Sequence, residues 1–214
     1  MKGIHYLNNL KVALFVFTAI ISSTGCEPKE EERLVYKPNI YIHPENNMNL
    51  QVSLNFPQGG RVVSTIPEYG DYWDIFVDTS GLINNTYHYL FYESSQPDRW
   101  QRKYGWIIEQ ENLRSFFKEN LAKYYFNEPE IDDFINYWIP RLKNQKYYVI
   151  YPQTNDEIDP LIELFFSLKP DHVQRLFYFI AGSDVNPINP ILEPSINSDF
   201  IREGFFVVEW GVIL

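Results

Sequence analysis

The sequence predicts an α+β protein: a mostly antiparallel β-sheet, with strands at both ends of the domain and a central two-helix hairpin packed on it. Apolar and polar residues alternate through residues 48–56, which is the two-residue period of a half-buried strand. Between residues 113 and 142 the apolar residues recur with the period of amphipathic helices. Strand-like segments return after residue 145. Strand-like segments before and after a helical segment favour a sheet covered by helices.

The first part of the domain predicts strands joined by short turns. Residues 37–44 (KPNIYIHP) form a short strand bracketed by prolines, and residues 48–56 form the clearest strand. A PQGG turn predicts that residues 61–67 return beside it as a hairpin partner. A second hairpin is predicted for residues 72–79 and 86–94.

Two helices are predicted in the middle of the chain. One apolar stripe covers residues 113–125. Asn127 and Glu130 then have the spacing of a capping box, which predicts the start of a second helix. Its stripe covers residues 131–142, and Pro140 is expected to end or kink it.

The last part of the domain predicts strands again. Residues 146–152 form one strand, and residues 161–168 and 173–182 form a hairpin. Residues 183–199 show no hydrophobic periodicity and are expected to be a loop. Residues 204–214 (GFFVVEWGVIL) are almost all apolar, which indicates a central strand of the sheet.

The first 25 residues have the layout of a secretory signal peptide. Lys2 and Lys11 are basic, no acidic residue precedes Cys26, and the apolar run at residues 12–21 is too short for a membrane span of about 20 residues. The small residues 22–25 followed by a cysteine resemble the lipobox of bacterial lipoproteins. This resemblance implies that residues 1–25 are removed and that Cys26 carries lipid.

Cys26 is the only cysteine of the 214 residues, so no disulfide can form within the chain. A structural or redox cysteine is the alternative to lipidation. Residues 26–36 are rich in acidic side chains and predict a flexible tether, which leaves residues 37–214 as one α+β domain. The lysine and acids after Cys26 also resemble a signal for surface-exposed lipoproteins. The expected location is the bacterial cell envelope, with lipid anchoring to the membrane and surface exposure as one option.

The charge and the aromatic content limit the possible partners. Loss of residues 1–25 changes the net charge from −10 to −12, and so acidic a protein repels nucleic acid. The 16 Tyr, 16 Phe and 5 Trp residues are expected mainly in the core, because no disulfide supplies stability. A glycan-stacking surface is the alternative use of these rings.

Three segments resemble one family of bacterial proteins. They are KPNIYIHPE (residues 37–45), DFINYWIPR (residues 133–141) and REGF through EWG (residues 202–211). The first is similar to the "KPVIYLYPE" opening of a family of uncharacterised bacterial secreted or envelope proteins, with His43 where that family usually has tyrosine. The resemblance implies a single α+β domain, often attached to the envelope, and carries over no activity.

Glu203, Glu209 and Arg141 are the candidate catalytic residues. Glu209 stands in an apolar strand, where a carboxylate is costly unless it is paired. It is therefore either a general acid or base with a raised pKa, or half of an ion pair with Arg141 or Arg202. A glycosidase would need both glutamates about 5–10 Å apart in one cleft.

Residues 94–104 (SSQPDRWQRKY) form a basic, aromatic stretch in an acidic protein, which favours contact with an anionic partner over a merely solvated loop. The candidate binding residues are Arg99, Trp100, Arg102 and Trp106. Trp73, Trp100 and Trp106 are also candidates for a sugar platform.

No metal or cofactor site is expected, because the four histidines have no metal-ligand spacing and no phosphate-binding loop or nucleophile elbow is present. The sequence favours a non-catalytic lipoprotein that binds or scaffolds another envelope protein or a glycan. One alternative is an envelope hydrolase or glycan-processing enzyme that uses Glu203 and Glu209. A second alternative is a carbohydrate-binding module.

Overall fold

The computed structural model describes residues 31–187, 191–196 and 199–214. These residues form two β-sheets and three α-helices. The strands are β1 (Glu32–His43), β2 (Met48–Asn55), β3 (Arg61–Ile66), β4 (Trp73–Val77), β5 (Leu90–Pro97), β6 (Trp106–Glu109), β7 (Tyr147–Gln153), β8 (Glu163–Phe166), β9 (His172–Ser183) and β10 (Phe206–Ile213). The helices are α1 (Leu113–Lys123), α2 (Glu128–Trp138) and the short α3 (Asn155–Ile158). The predicted class, α+β with mostly β-sheet, is confirmed.

The larger sheet has seven strands in the order β3-β5-β1-β10-β9-β7-β6, and the smaller one has the order β4-β2-β8. Neighbouring strands are antiparallel except β9 and β10, which are parallel. β10 lies at the centre of the larger sheet, as its almost continuous apolar sequence predicts.

The larger sheet is buried on both faces. Along β10, Val208, Trp210 and Val212 belong to a core shared with α1 and α2, whereas Val207 and Ile213 belong to a core shared with the smaller sheet. The same alternation places Tyr41 of β1 on the helix side and Ile40 on the other side. The three layers are therefore helices, larger sheet and smaller sheet.

The two long helices begin and end close to the predicted positions. Asn127 and Glu130 form the expected capping box at the start of α2, and the helix ends two residues before Pro140. Phe117 of α1 and Phe134 of α2 lie with ring centroids 4.8 Å apart, and both rings contact Tyr178 of β9.

The three predicted β-hairpins are wrong. β2 pairs with β4 and β8, while β3 pairs with β5 in the other sheet. Likewise β4 and β5 lie in different sheets, as do β8 and β9. The sequence pattern locates the strands of these pairs but does not show which sheet each joins, since both sheets bury one face against the same core. The sequence pattern predicts no strand at β6.

The first strand begins earlier than the sequence indicates. β1 starts at Glu32 and pairs with β5 from there, so residues 32–36 are sheet rather than tether. Their charged side chains are still satisfied, because Arg33 donates to Asp98 at 2.9 Å and Glu32 accepts from Arg61 at 2.8 Å. The predicted signal peptide and Cys26 lie outside the described residues. Among the described helices, none is long and apolar enough to cross a membrane.

Candidate ligand-binding cleft

A row of polar side chains on β1 forms the floor of the candidate site. Tyr41 faces the helices. Asn39, two residues before it, contacts Tyr41, and His43, two residues after it, contacts α2. Lys37 precedes this row at a β-bulge, where the register shifts between Tyr36 and Asn39. Its backbone has φ of 50°, a left-handed conformation that is uncommon for a residue with a side chain.

The Lys37 ammonium group lies among aromatic rings. Its Nζ is 4.8 Å from the ring centroid of Tyr89, 4.9 Å from that of Phe91 and 5.1 Å from that of Tyr137. It donates to Asn39 Oδ1 and Tyr89 Oη, both at 3.3 Å. Burial lowers the pKa of Lys37, because it removes water from the charged form. Within the described residues, no carboxylate forms an ion pair with this amine.

Tyr41 links the strand to α2. Its hydroxyl donates to Asp133 Oδ2 at 2.9 Å and accepts from Asn39 Nδ2 at 3.3 Å. Burial raises the pKa of Tyr41 far above its usual value, so the phenol stays protonated and keeps donating. Its ring meets that of Tyr89 edge to face at 5.3 Å. The Asp133 carboxylate is thus held toward β1.

Glu130 joins three parts of the chain beside this row. Its carboxylate accepts from His43 Nε2 at 2.9 Å, from two Arg202 nitrogens at 2.8 and 3.0 Å, and from the backbone N–H of Asn127 at 2.8 Å. Burial opposes ionisation of Glu130, yet the hydrogen bonds from His43 and Arg202 hold its pKa below the ordinary value. His43 also stacks on Phe206 at 4.6 Å. These contacts fix α2 to β1 and to the segment that precedes β10.

Two adjoining cavities open beside these groups, and together we call them the cleft. The Lys37 cavity has a volume of about 350 Å³, and the Asp133 cavity has a volume of about 460 Å³. His88 lines both. The Lys37 cavity is mainly aromatic, with Tyr87, Tyr89, Phe91 and Tyr137 in its wall. The Asp133 cavity is more polar, with Tyr41, His43, Asn127 and Glu130 in its wall.

Three segments that are far apart in the sequence meet at the cleft. Residues 37–45 supply the row on β1, residues 133–141 supply Asp133 and Tyr137, and the segment that begins at Arg202 supplies the partner of Glu130.

Comparison of the chain with family models, curated proteins and solved structures finds no match. What the cleft can bind therefore has to follow from its own side chains. Within the described part of the chain, no group of three or more His, Cys, Asp or Glu side chains is placed to hold a metal ion.

Glu203 and Glu209 are not brought together. Glu209 is completely buried and accepts from Arg175 Nε at 2.5 Å, whereas Glu203 is exposed. The partner of Glu209 is thus Arg175, rather than Arg141 or Arg202 as the sequence suggests. A buried, paired carboxylate cannot share an open cleft with an exposed one, so these two residues do not form the pair that a glycosidase needs.

Arg141 contacts Tyr137, whose side chain lines the Lys37 cavity. Its guanidinium group stacks over the ring of Tyr137 at 3.7 Å and donates to the carbonyl of Tyr137 at 2.7 Å. Lys37 Nζ lies 5.1 Å from the centroid of the same ring, so both cations contact Tyr137. The positive charge of Arg141 adds to burial in lowering the pKa of Lys37. Of the three predicted catalytic residues, Arg141 alone contacts a residue that lines the cleft.

The tryptophan candidates do not form a sugar platform. Trp73 and Trp100 are only 2% and 4% exposed and belong to the core beneath the smaller sheet. Trp106 is partly buried and packs edge to face on Phe116 of α1 at 5.3 Å. Their rings serve the interior because they supply large apolar area.

The basic candidates lie at the surface but have partners. Arg102 donates twice to Asp98 at 2.7 Å and stacks over Phe179 at 4.0 Å. Arg99 is exposed and donates to Gln58. With Trp100 in the core, the stretch does not form the continuous basic and aromatic surface that its sequence suggests.

Sequence reasoning missed the principal residues of the cleft: Lys37, Tyr41, Tyr89, Glu130, Asp133 and Tyr137. One signal was available. Residues 37–43 form a strand whose alternate positions are Lys, Asn, Tyr and His, although its other face is apolar and buried. A strand with a polar row in a sheet covered on both faces indicates a site, because buried polar side chains need partners.

Proposed function

We propose that this protein is a lipid-anchored protein of the bacterial cell envelope whose domain binds a small organic ligand in the cleft. The observation that carries the proposal is the arrangement of Lys37. Its amine is partly desolvated in an open aromatic cavity, and its backbone is held at φ of 50°. A conformation of this kind costs about 1–3 kcal/mol and is concentrated at binding sites and active sites.

The size and lining of the cleft support binding of a small molecule. Its two cavities, of about 350 and 460 Å³, fall in the range of roughly 300–1,000 Å³ that small-ligand sites occupy. Their walls combine aromatic rings with a few oriented polar groups, which is the usual composition of such sites. The proposal takes α1 and α2 as a helical hairpin seated on the sheet, so that α2 is a rigid wall of the cleft.

The anchoring part of the proposal rests on the signal-like residues 1–25 and on Cys26 directly after them. Lipid on that cysteine would hold the domain at a membrane surface, where the cleft meets envelope components. We propose binding rather than hydrolysis, because the candidate acid Glu209 is buried against Arg175. The alternative of a carbohydrate-binding module has weaker support, since the ring planes of Tyr41 and Tyr89 meet at 62° and do not form one flat platform for a sugar.

Ligand-observed NMR with a library of anionic, neutral and cationic fragments tests the proposal. Thr86 is exposed and lines the Lys37 cavity, so Thr86→Trp places an indole in its mouth without changing the core. Thr79→Trp, at an exposed position outside both cavities, is the matched control. We expect fragments that bind the wild type and the control but not Thr86→Trp. If no fragment shows this pattern, the Lys37 cavity is not a binding site and the proposal fails.

A further inference from the structure

We propose that the ligand of the cleft is an organic carboxylate with a flat, apolar body, and that its carboxylate binds between Lys37 and Arg141. This inference rests on the proposed binding function and specifies its ligand class.

Lys37 has no counter-charge at ion-pair distance within the described residues. A desolvated ammonium group is normally paired, since an isolated charge away from water is costly. The carboxylates of Asp133 and Glu93 are close enough to favour its charged form, but within the described residues neither reaches ion-pair distance. Asp133 instead accepts from Tyr41. A ligand carboxylate in the cavity would supply the partner that the chain does not.

The amine of Lys37 also retains a hydrogen-bond donor that no described residue accepts. Lys37 has three N–H groups, and two of them go to Asn39 and Tyr89. The third N–H group can donate to a ligand in the Lys37 cavity. Both existing bonds are 3.3 Å long, so a shorter, charge-assisted bond to a carboxylate would be the strongest of the three.

A second cation, Arg141, stacks on the ring of Tyr137 that Lys37 also contacts. Only one Arg141 nitrogen donates within the described protein, to the carbonyl of Tyr137. The remaining N–H groups of its planar guanidinium suit the two oxygens of a carboxylate. Stacking on Tyr137 holds this fork in place, which reduces the entropy lost on binding.

The wall of the cavity determines the body of the ligand. Tyr87, Phe91 and Ile66 offer rings and an apolar side chain to whatever is attached to the carboxylate. A volume of about 350 Å³ suits a molecule of one or two rings. A planar apolar body can stack on these rings, whereas a long polar chain would leave them unused.

Isothermal titration with benzoate and 1-naphthoate tests this inference, with benzamide and 1-naphthamide as neutral analogues of the same shape. We expect the wild type to bind the carboxylates at least about tenfold more tightly than the amides, as loss of a charged hydrogen bond implies. Lys37→Met should weaken carboxylate binding by a similar factor. Lys103→Met, which removes an exposed lysine on another surface, should leave it unchanged. Arg141→Gln is a second variant at an exposed position, and we expect it to weaken binding even if Lys37→Met disturbs the bulge.

The outcomes separate this inference from the proposed function. If fragments blocked by Thr86→Trp bind but amides or amines bind as tightly as carboxylates, the ligand class is wrong and the binding function stands. The inference is equally overturned if the carboxylates bind wild type, Lys37→Met and Arg141→Gln alike. If no fragment binds the cleft at all, both proposals fail.

Discussion

The buried ion pair of Glu209 and Arg175 predicts a large loss of stability when one partner is neutralised. The two side chains are 0% and 1% exposed. Glu209→Gln keeps the shape but leaves the guanidinium without its buried counter-charge, a change that costs about 3–5 kcal/mol in comparable pairs. Arg175 retains Asp159, which is 54% exposed, and the carbonyl of Ile162. We therefore expect the lower end of the range, about 3 kcal/mol.

For a domain of this size, about 1 kcal/mol corresponds to about 2–4 °C in Tm, so Glu209→Gln should lower Tm by about 6–12 °C. Urea unfolding and thermal unfolding, both followed by circular dichroism, measure the change. Glu32→Gln is the control, because Glu32 and its partner Arg61 are 42% and 62% exposed and such pairs contribute about 0–1 kcal/mol. A Glu209→Gln protein within about 1 kcal/mol of the wild type would refute the reasoning.

Three further predictions follow from features described above. Cys26→Ser should abolish incorporation of labelled palmitate and release the protein from membranes; label retained in the variant would contradict lipidation. Glu130→Gln should destabilise the protein most near neutral pH. The pKa of Glu130 is lower in the folded protein than its ordinary value of 4.5, so ionised Glu130 stabilises the fold above pH 4.5. The difference in unfolding free energy between the variant and the wild type should vanish as the pH falls through the folded-state pKa. Gly105→Ala would place its Cβ 2.5 Å from the carbonyl oxygen of Ile150 and should lower the free energy of unfolding by about 1–3 kcal/mol. Gly70→Ala, whose Cβ would have no atom within 4 Å, should change the free energy of unfolding by less than about 0.5 kcal/mol.

The local elements could be predicted because their signals are local. The capping box at Asn127 and Glu130 lies within four residues, and the apolar run of β10 directly reports burial on both faces. The strand partners could not be predicted in the same way. β2 alternates cleanly, but that pattern is satisfied equally by a hairpin with β3 and by the observed place between β4 and β8.

The candidate site was harder to predict for a similar reason. Glu209 clearly needed a partner, but Arg175 lies 34 residues earlier and becomes its neighbour only because β9 and β10 are parallel. The surroundings of Lys37 come from three separate parts of the chain, including Tyr89 and Tyr137, and no local spacing connects them. Residues 32–36 follow an acidic stretch and begin with two charged residues, which predicts a tether although their backbone pairs with β5 and Val35 is buried.

The order of strands in the larger sheet has a consequence for how the chain folds. β3, β5 and β1 form one half of the sheet, β9, β7 and β6 form the other half, and β10 alone joins them. Val35 near the start of β1 pairs with Ile213 near the end of β10, so this contact closes a loop of almost the whole domain. Such long-range pairing slows folding. A chain that is still being synthesised therefore cannot complete its sheet until residues 206–213 are available.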